Sequence, residues 1–208
     1  MTIRYPNGKL YKPDTEVPKQ KVTKSRKKEI SFSNRGKTLE DEIDETNNYY
    51  LNRQIAVIHK KPVPVQIVKV EYPKRSAAVI REAYFRTPST TDYNGIWNGY
   101  YVDFEAKETE SKTSFPLKNM HPHQVKHMED VTRQQGIAFT IVRFSKLDRY
   151  FILPFSVLLD AWEVMESGGV KSIPLKVFES SCIEVMPGFN PRIHYLSAIE
   201  KLISKKEY

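Results

Sequence analysis

Three residues near the middle of the chain combine the side chains that phosphodiester hydrolysis needs. Asp92 precedes one predicted strand, and Glu105 and Lys107 lie two residues apart on the next. Paired carboxylates offer the oxygen ligands that Mg²⁺ prefers. A bound Mg²⁺ polarises a phosphoryl oxygen and lowers the pKa of a water molecule, and a lysine offsets negative charge in the transition state. Taken alone, Glu105 and Lys107 are more typical of an exposed cross-strand pair.

A predicted β-hairpin brings these residues together. Asn98-Gly99 separates two strand-like runs, and this dipeptide favours a type I′ turn because both turn residues need positive φ. The second run alternates in polarity, so its side chains divide between two faces. Its apolar face holds Val102, Phe104 and Ala106, and its polar face holds Tyr101, Asp103, Glu105 and Lys107.

The hydrophobic pattern elsewhere predicts a single α/β domain. Helical spacing predicts helices at residues 39–50, 121–134, 155–166 and 195–206. Apolar runs predict strands at 55–59, 137–143 and 150–154. Helices before, between and after the strands indicate a mixed central β-sheet flanked by helices.

The positive charge is concentrated in two segments. The 208 residues carry 33 Lys and Arg against 25 Asp and Glu, a net charge of +8. Residues 1–30 hold nine basic and three acidic residues, and residues 53–86 hold eight and two. Such clusters suit DNA, RNA or an anionic membrane, although a solvated basic surface explains them equally well.

Composition narrows the class of protein. The single cysteine, Cys182, excludes a disulfide scaffold and a multi-cysteine zinc site, and it fits a reducing cytoplasm. The first residues lack the apolar core of a signal peptide, so we expect no secretory leader. The most apolar stretch, residues 150–162, is too short to span a bilayer, and we expect no membrane association.

We predict a flexible basic N-terminal arm at residues 1–32 and a main domain at residues 33–208. Prolines bracket a strand-like run within residues 60–75, which suits an edge strand or a protruding ribbon. Residues 76–86 fit either a short helix or a returning strand. We therefore predict a basic excursion from the domain at about residues 60–86.

Longer strings extend the pattern. An Asp followed on a hairpin by Glu-x-Lys is the core pattern of the PD-(D/E)xK nuclease superfamily, whose fold is restriction-endonuclease-like. Over nearly its whole length the chain also resembles the RecU family of Holliday-junction resolvases from Gram-positive bacteria. The resemblance lies in the strings IRYPNG (3–8), NRG (34–36), HKKPVPVQIVKV (59–70), YPKRSAAVI (72–80), STTDYNG (89–95), DFEAKET (103–109) and TSFPL (113–117).

This resemblance implies a role for each matching position. The catalytic residues would be Asp92, Glu105 and Lys107, with Lys107 stabilising the transition state. The metal would be held by Thr90, Asp92, Glu105 and Gln124. DNA would be bound by Arg35, Lys60, Arg75, Tyr84 and Phe85.

The resemblance also implies an activity. The protein would be a Mg²⁺-dependent endonuclease, with Mn²⁺ as a substitute, that resolves four-way DNA junctions by paired symmetric nicks in recombination and repair. Two symmetric cuts favour a C2 homodimer, and residues 60–86 would be a stalk that enters the open junction. RecA and the RuvAB branch-migration machinery would be further partners, at a cytoplasmic, nucleoid-associated location.

Two other functions stay open at this stage. A non-catalytic DNA-binding modulator of RecA would explain the basic segments, and metal-dependent turnover distinguishes it from a nuclease. A restriction-type nuclease would cut linear duplex at a defined sequence, but a flat duplex gives the predicted stalk no place to enter.

Several other polar and aromatic residues have competing interpretations. Asp103 could be a further acid, but a strand-edge residue is the simpler interpretation. Glu40 could be a supporting acid, but a solvated helix face is the better interpretation. The spacing of His121, His123 and His127 is compatible with zinc, but no second cluster supplies a further ligand. Tyr84 and Phe85 either stack on unpaired bases or pack at the base of the stalk.

Overall fold

The computed structural model describes residues 38–72, 78–86 and 90–204, without the side chains of residues 202 and 204. The predicted arm at residues 1–32 lies outside this part of the chain, as do Arg35 and Arg75. Among the described residues, no helix is both long enough and apolar enough to cross a membrane.

Six strands form the main sheet. They are β1 (Val57–Lys60), β4 (Tyr93–Trp97), β5 (Tyr100–Thr109), β7 (Ile137–Phe144), β8 (Arg149–Pro154) and β10 (Ile183–Val185). Their order across the sheet is β1-β4-β5-β7-β8-β10. Strands β5 and β7 are parallel, and the other neighbours are antiparallel. The predicted mixed sheet is therefore confirmed.

Two small sheets and five helices complete the described chain. The two-stranded sheets pair β2 (Val65–Glu71) with β3 (Val79–Phe85), and β6 (Ser114–Pro116) with β9 (Ser172–Pro174). The helices are α1 (Leu39–Asn52), α2 (Pro122–Arg133), α3 (Phe155–Glu166), α4 (Leu175–Ser181) and α5 (Tyr195–Ser204), with a 3₁₀ turn at Leu117–Asn119. A parallel pair of strands needs a crossover connection, and α2 lies on the one between β5 and β7.

Capping residues explain where the first two long helices begin. Thr38 precedes α1, its hydroxyl accepts a hydrogen bond from the Asp41 N–H, and the Asp41 carboxylate accepts one from the Thr38 N–H. This reciprocal capping box satisfies two backbone donors that the helix leaves free. Pro122 occupies the first turn of α2, where its missing N–H costs no helical hydrogen bond.

The predicted hairpin is confirmed at its turn. Asn98 has φ 48° and Gly99 has φ 82°, the positive values that a type I′ turn requires. The register then pairs Tyr93 with Phe104. Because side chains alternate along a strand, this register places Asp92 level with Glu105 on the opposite face.

The two faces of the main sheet carry separate cores. One face packs mainly against α1 and α5 and includes Val102, Phe104 and Ala106. The other face packs against α2, α3 and α4. On β5 this second face carries Asp103 and Glu105, both fully buried, so α2 covers the polar face that the sequence predicted.

An aromatic stack supports the site strands from the first face. The rings of Tyr93 and Phe104 have centroids 4.9 Å apart, and those of Phe104 and Phe139 are 4.8 Å apart. Each such pair contributes about 0.5–1.5 kcal/mol beyond area burial. The three rings come from β4, β5 and β7, so the stack fixes the spacing of the strands beside Asp92 and Glu105.

A close approach of two backbones fixes β1 against β4. A Cβ added to Gly95 would lie 2.0 Å from the carbonyl oxygen of Val57, a distance that no side chain tolerates. Only glycine therefore permits this strand pairing. The pairing places Lys60, at the end of β1, directly opposite Tyr93.

Strands β2 and β3 form an antiparallel ribbon that is not hydrogen-bonded to the main sheet. All seven residues of β3 are exposed. The pairs Arg81–Glu71 and Arg86–Gln66 join the two strands. Residues 79–85 are thus the returning strand and not the helix, whereas a role for the ribbon as a junction stalk stays a prediction.

The sequence missed the shortest elements and some ends. Strands β6, β9 and β10 have three residues each and α4 has seven, too few for a period to be visible. The strand predicted at residues 55–59 begins and ends later, at Val57 and Lys60. Helix α5 covers Tyr195–Ser204, and the predicted end of this helix at residue 206 lies outside the described residues.

Candidate active site

Asp92 and Glu105 face each other across the β4–β5 hairpin. The backbone N–H of Asp92 donates to Oε2 of Glu105 at 3.1 Å. The N–H of Ala106 donates to Oδ2 of Asp92 at 3.3 Å. Each carboxylate is therefore held by the backbone of the other strand, and the pair is fixed by the sheet itself.

Lys107 and Gln124 both contact the same oxygen of Glu105. Nζ of Lys107 lies 2.6 Å from Oε1 of Glu105, and Nε2 of Gln124 donates to that atom at 2.6 Å. The amide oxygen of Gln124 accepts a hydrogen bond of 3.0 Å from the His121 N–H at the start of α2. The structure thus brings together four of the predicted site residues, with Gln124 fixed at both ends.

The surroundings of Glu105 oppose the ionisation of its carboxyl group. Glu105 has no exposed surface, and burial, reinforced by the adjacent Asp92 carboxylate, raises its pKa to about 8 even though Lys107 acts in the opposite direction. Two carboxylates close together in a buried setting disfavour full ionisation. A cation bound between them would relieve this repulsion.

The donor set fits a divalent cation with oxygen ligands. Asp92 and Glu105 supply two carboxylates, which suffice for Mg²⁺ because it keeps several of its waters. Thr90, half-buried, lies two residues before Asp92, and its hydroxyl donates to the Thr91 carbonyl at 3.3 Å. Gln124 presents its N–H group to Glu105, so its amide would have to rotate to offer an oxygen.

No group of three or more His, Cys, Asp and Glu side chains in the described ranges is arranged to hold a metal. The three histidines of the zinc hypothesis point to other contacts. His121 and His123 stack on each other with ring centroids 5.4 Å apart, whereas His127 lies against Asp103.

Thr140 is a site neighbour that the sequence did not single out. It pairs with Glu105 in the β5–β7 register, and its fully buried hydroxyl has no hydrogen-bond partner among the described residues. A lone threonine in an apolar strand gives no sequence signal, because β-branched residues are common in strands.

Asp103 is not the strand-edge residue that the sequence predicted. Its side chain is fully buried and contacts Lys61, Thr91, Tyr101 and His127. Burial alone would raise the pKa of Asp103, but the hydrogen bonds from Lys61 and Thr91 and the charge of Lys61 lower it below its ordinary value. The prediction failed because a strand pattern shows which face a residue occupies and not which partners cover it.

Lys60 lies next to the site in an acidic setting. Its Nζ is 2.6 Å from Oε2 of Glu40 and 3.8 Å from Oδ2 of Asp44. The hydrogen bond to Glu40 raises the pKa of Lys60, and the charge of Asp92 adds to the effect. Glu40 is exposed, as predicted for a helix face, but its carboxylate forms an ion pair with Lys60.

Tyr84 and Phe85 lie at the end of β3. Tyr84 is 59% exposed and Phe85 is 82% exposed. The alternative that they pack at the base of the ribbon is therefore wrong. Both rings are available to a partner surface.

Fold and site together define a nuclease-like α/β protein. The chain belongs to the RecU family, because the family model described as Recombination protein U matches residues 34–201. The Holliday junction resolvase RecU of Lactiplantibacillus plantarum is 54% identical over 205 residues, covering 99% of this chain and 98% of its own. The same named protein of Lactobacillus acidophilus is 52% identical over 211 residues, covering 99% of each. That of Listeria monocytogenes is 52% identical over 203 residues, covering 97% of this chain and 99% of its own.

Proposed function

We propose that this chain is an endonuclease that resolves four-way DNA junctions by paired symmetric nicks, in recombination and DNA repair. The observation that carries the proposal is the contact of Asp92, Lys107 and Gln124 with the buried Glu105. Family membership gives this arrangement its substrate, since relatives over half identical to the chain are named Holliday junction resolvase.

The chain's own residues divide the chemistry among them. Asp92 and Glu105 would hold Mg²⁺, or Mn²⁺ as a substitute, with Thr90 and Gln124 in supporting positions. The metal supplies a water of lowered pKa and offsets charge on the phosphate. Gln124 keeps Glu105 in one orientation. Lys107, beside Glu105, places an ammonium group where the transition state gains negative charge.

Bond cleavage in this scheme is hydrolytic. Water attacks the phosphorus in line with the leaving group, the bond to the 3′ oxygen breaks, and that oxygen takes up a proton. The products carry a 5′-phosphate and a 3′-hydroxyl, which a ligase can rejoin. This is the chemistry that the resemblance to the PD-(D/E)xK superfamily implies.

Selectivity for junctions would come from DNA shape. Phosphate contacts position a protein on DNA without reading sequence, and the proposed contacts are Arg35, Lys60 and Arg75. The β2–β3 ribbon would enter the open centre of the junction, where Tyr84 and Phe85 stack on unpaired bases. Their exposure on β3 supports this role.

The proposed assembly is a C2 homodimer, since two opposed cuts need two sites related by a two-fold axis. RecA and the RuvAB machinery are the proposed further partners at the nucleoid, in the cytoplasm.

Substitution of the carboxylates tests the function. Asp92→Asn and Glu105→Gln should abolish nicking of a four-way junction in Mg²⁺ and keep junction binding in EDTA, because each removes a metal ligand and no phosphate contact. Nicking at the wild-type rate by either variant would refute the site. Tight junction binding without nicking by the wild type under Mg²⁺ or Mn²⁺ would point instead to a non-catalytic modulator of RecA.

A further inference from the structure

A fully buried carboxylate lies beside the proposed site and outside its chemistry. Oδ2 of Asp103 accepts a hydrogen bond from Nζ of Lys61 at 2.7 Å and one from the Tyr101 hydroxyl at 2.9 Å. Nε2 of His127 lies 3.1 Å from the same oxygen. The hydroxyl of Thr91 donates to Oδ1. Four side chains from separate parts of the chain thus converge on Asp103.

Lys61 contacts the segment that carries Asp92 through both its backbone and its side chain. Its backbone N–H donates to the Asp92 carbonyl at 2.7 Å. Its ammonium group donates to the Thr91 hydroxyl at 2.9 Å and reaches Asp103. Only 18% of the Lys61 side chain is exposed. Lys61 and Asp103 therefore hold Thr91 between them, one residue before the proposed metal ligand.

Helix α2 contacts both buried carboxylates of β5 with the face that packs on the sheet. Gln124 contacts Glu105, and His127, one turn later, contacts Asp103. Residues three apart on a helix share a face, and residues two apart on a strand share a face. The two contacts therefore join α2 to β5 side by side. The contact between His127 and Asp103 fixes the alignment of α2, and the contact between Gln124 and Glu105 depends on that alignment.

Fold stability alone does not account for this ion pair. Burying two charges costs several kcal/mol each, and well-packed apolar replacements are often neutral or stabilising. Among the described residues, the hydrogen bonds of Lys61 and Asp103 towards the proposed site run to Thr91, to the Asp92 backbone and to α2. A buried charge pair with several fixed hydrogen bonds specifies geometry.

We infer that Lys61 and Asp103 are positioning residues, which hold Thr91 and hence Asp92 at the separation from Glu105 that a divalent cation requires. This inference rests on the proposed function. The same pair fixes the base of the β2–β3 ribbon, since Lys61 precedes the ribbon and Thr91 follows it in the chain. The Lys61–Asp103 pair thus supports both the ribbon and the proposed site.

The test compares metal binding with stability. Asp103→Asn and Lys61→Met should each raise the Kd for Mn²⁺, measured from the EPR signal of free Mn²⁺ with the full chain, by about tenfold, the scale expected when a partner of a metal ligand is lost. The Mg²⁺ concentration for half-maximal junction nicking should rise in parallel. Junction affinity in EDTA should change far less than the affinity for Mn²⁺, because neither residue is proposed to touch DNA and the pair supports the ribbon at its base alone.

Glu42→Gln is the matched control. Glu42 is also a fully buried carboxylate, with Nε of Arg192 at 2.8 Å and the Tyr150 hydroxyl at 2.9 Å, but it contacts none of the site residues described above. Its substitution should lower the urea midpoint and leave the Kd for Mn²⁺ unchanged. Wild-type Mn²⁺ affinity in Asp103→Asn and Lys61→Met, with only a lowered urea midpoint, would overturn the inference.

Thr91→Val provides the test should those two variants fail to fold. Valine matches threonine in shape and removes the hydroxyl through which the pair holds the segment. It should raise the Kd for Mn²⁺ in the same direction by a smaller factor, and an unchanged Kd would overturn the inference. A wild-type protein that binds Mn²⁺ but nicks no junction would instead refute the proposed function, so the two failures are distinct.

Discussion

Nε2 of Gln124 lies 2.6 Å from Oε1 of Glu105, so a neutral side chain of α2 holds one oxygen of a buried carboxylate on β5. The amide is fixed in turn by the backbone N–H of His121. The start of a helix therefore sets the orientation of a proposed metal ligand.

Gln124→Leu should slow single-turnover nicking of a four-way junction by about 10- to 100-fold, the range found when a partner of a metal ligand is removed. Glu105 would lose its orienting donor, while DNA contacts elsewhere would persist. Gln134→Leu, at the exposed end of the same helix, is the control and should nick normally. An unchanged rate in Gln124→Leu would show that Glu105 needs no such support.

Phe85→Ala should reduce the preference for junction over linear duplex without loss of thermal stability. Phe85 is 82% exposed, so its ring contributes little to the fold, and stacking on a base is worth about 1–3 kcal/mol. Phe189→Ala is the control, because Phe189 is fully exposed but lies outside the ribbon. An equal loss of selectivity in Phe85→Ala and Phe189→Ala would show that the ribbon does not contribute to junction recognition.

Junction binding should weaken steeply between 50 and 200 mM salt, because each lysine or arginine that contacts a phosphate releases a counterion. Lys60→Ala should lower the slope of log Kd against log salt by about one. Lys126→Ala is the control, because in the wild type Lys126 pairs with Glu129 and Asp130 on α2. The same slope in Lys60→Ala and the wild type would exclude a phosphate contact by Lys60.

Acid should weaken the fold in part through Asp148. Burial alone would raise its pKa, but hydrogen bonds with Arg143 and Tyr150 and the charge of Arg192 lower it below the ordinary 3.8. The unfolded state then binds a proton at a higher pH than the folded state. The stabilisation is therefore complete above about pH 5 and is lost as the pH falls through the folded pKa.

Asp148→Asn should thus unfold at a lower urea concentration than the wild type at pH 6, with a difference that shrinks towards pH 3. The difference should be less than about 1 kcal/mol, because the Asp148 side chain is half exposed and solvent screens its ion pairs. Asp160→Asn, on the exposed face of α3, is the control for the loss of a surface carboxylate. A difference independent of pH would contradict the assignment.

The sequence was sufficient to predict the elements that carry strong local signals. The Asn98-Gly99 turn, the alternation along β5 and the helix around Gln124 all follow from the conformations and periods of neighbouring residues. These elements determine that Asp92, Glu105 and Lys107 lie on one polar face. The main features of the proposed site therefore follow from the sequence alone.

What the sequence could not show depends on contacts between distant segments. Lys61 is adjacent to Lys60 and shares its charge, yet one is mostly buried against Asp103 and the other pairs with Glu40 at the surface. Burial of Asp103 depends on α2 and on the end of β1, which approach it only in the folded chain. A strand pattern assigns a face, and tertiary packing assigns the partner.

The most direct test of the proposed site is the cleavage of an end-labelled four-way junction and a linear duplex of the same sequence, each with Mg²⁺ or EDTA. The wild type should place symmetric nicks in the junction only, and only with Mg²⁺, whereas Lys107→Ala should bind the junction and nick it at least about 100-fold more slowly. Wild-type rates in Lys107→Ala, or nicking that persists in EDTA, would contradict the assignment of Asp92, Glu105 and Lys107 as a metal-dependent nuclease site.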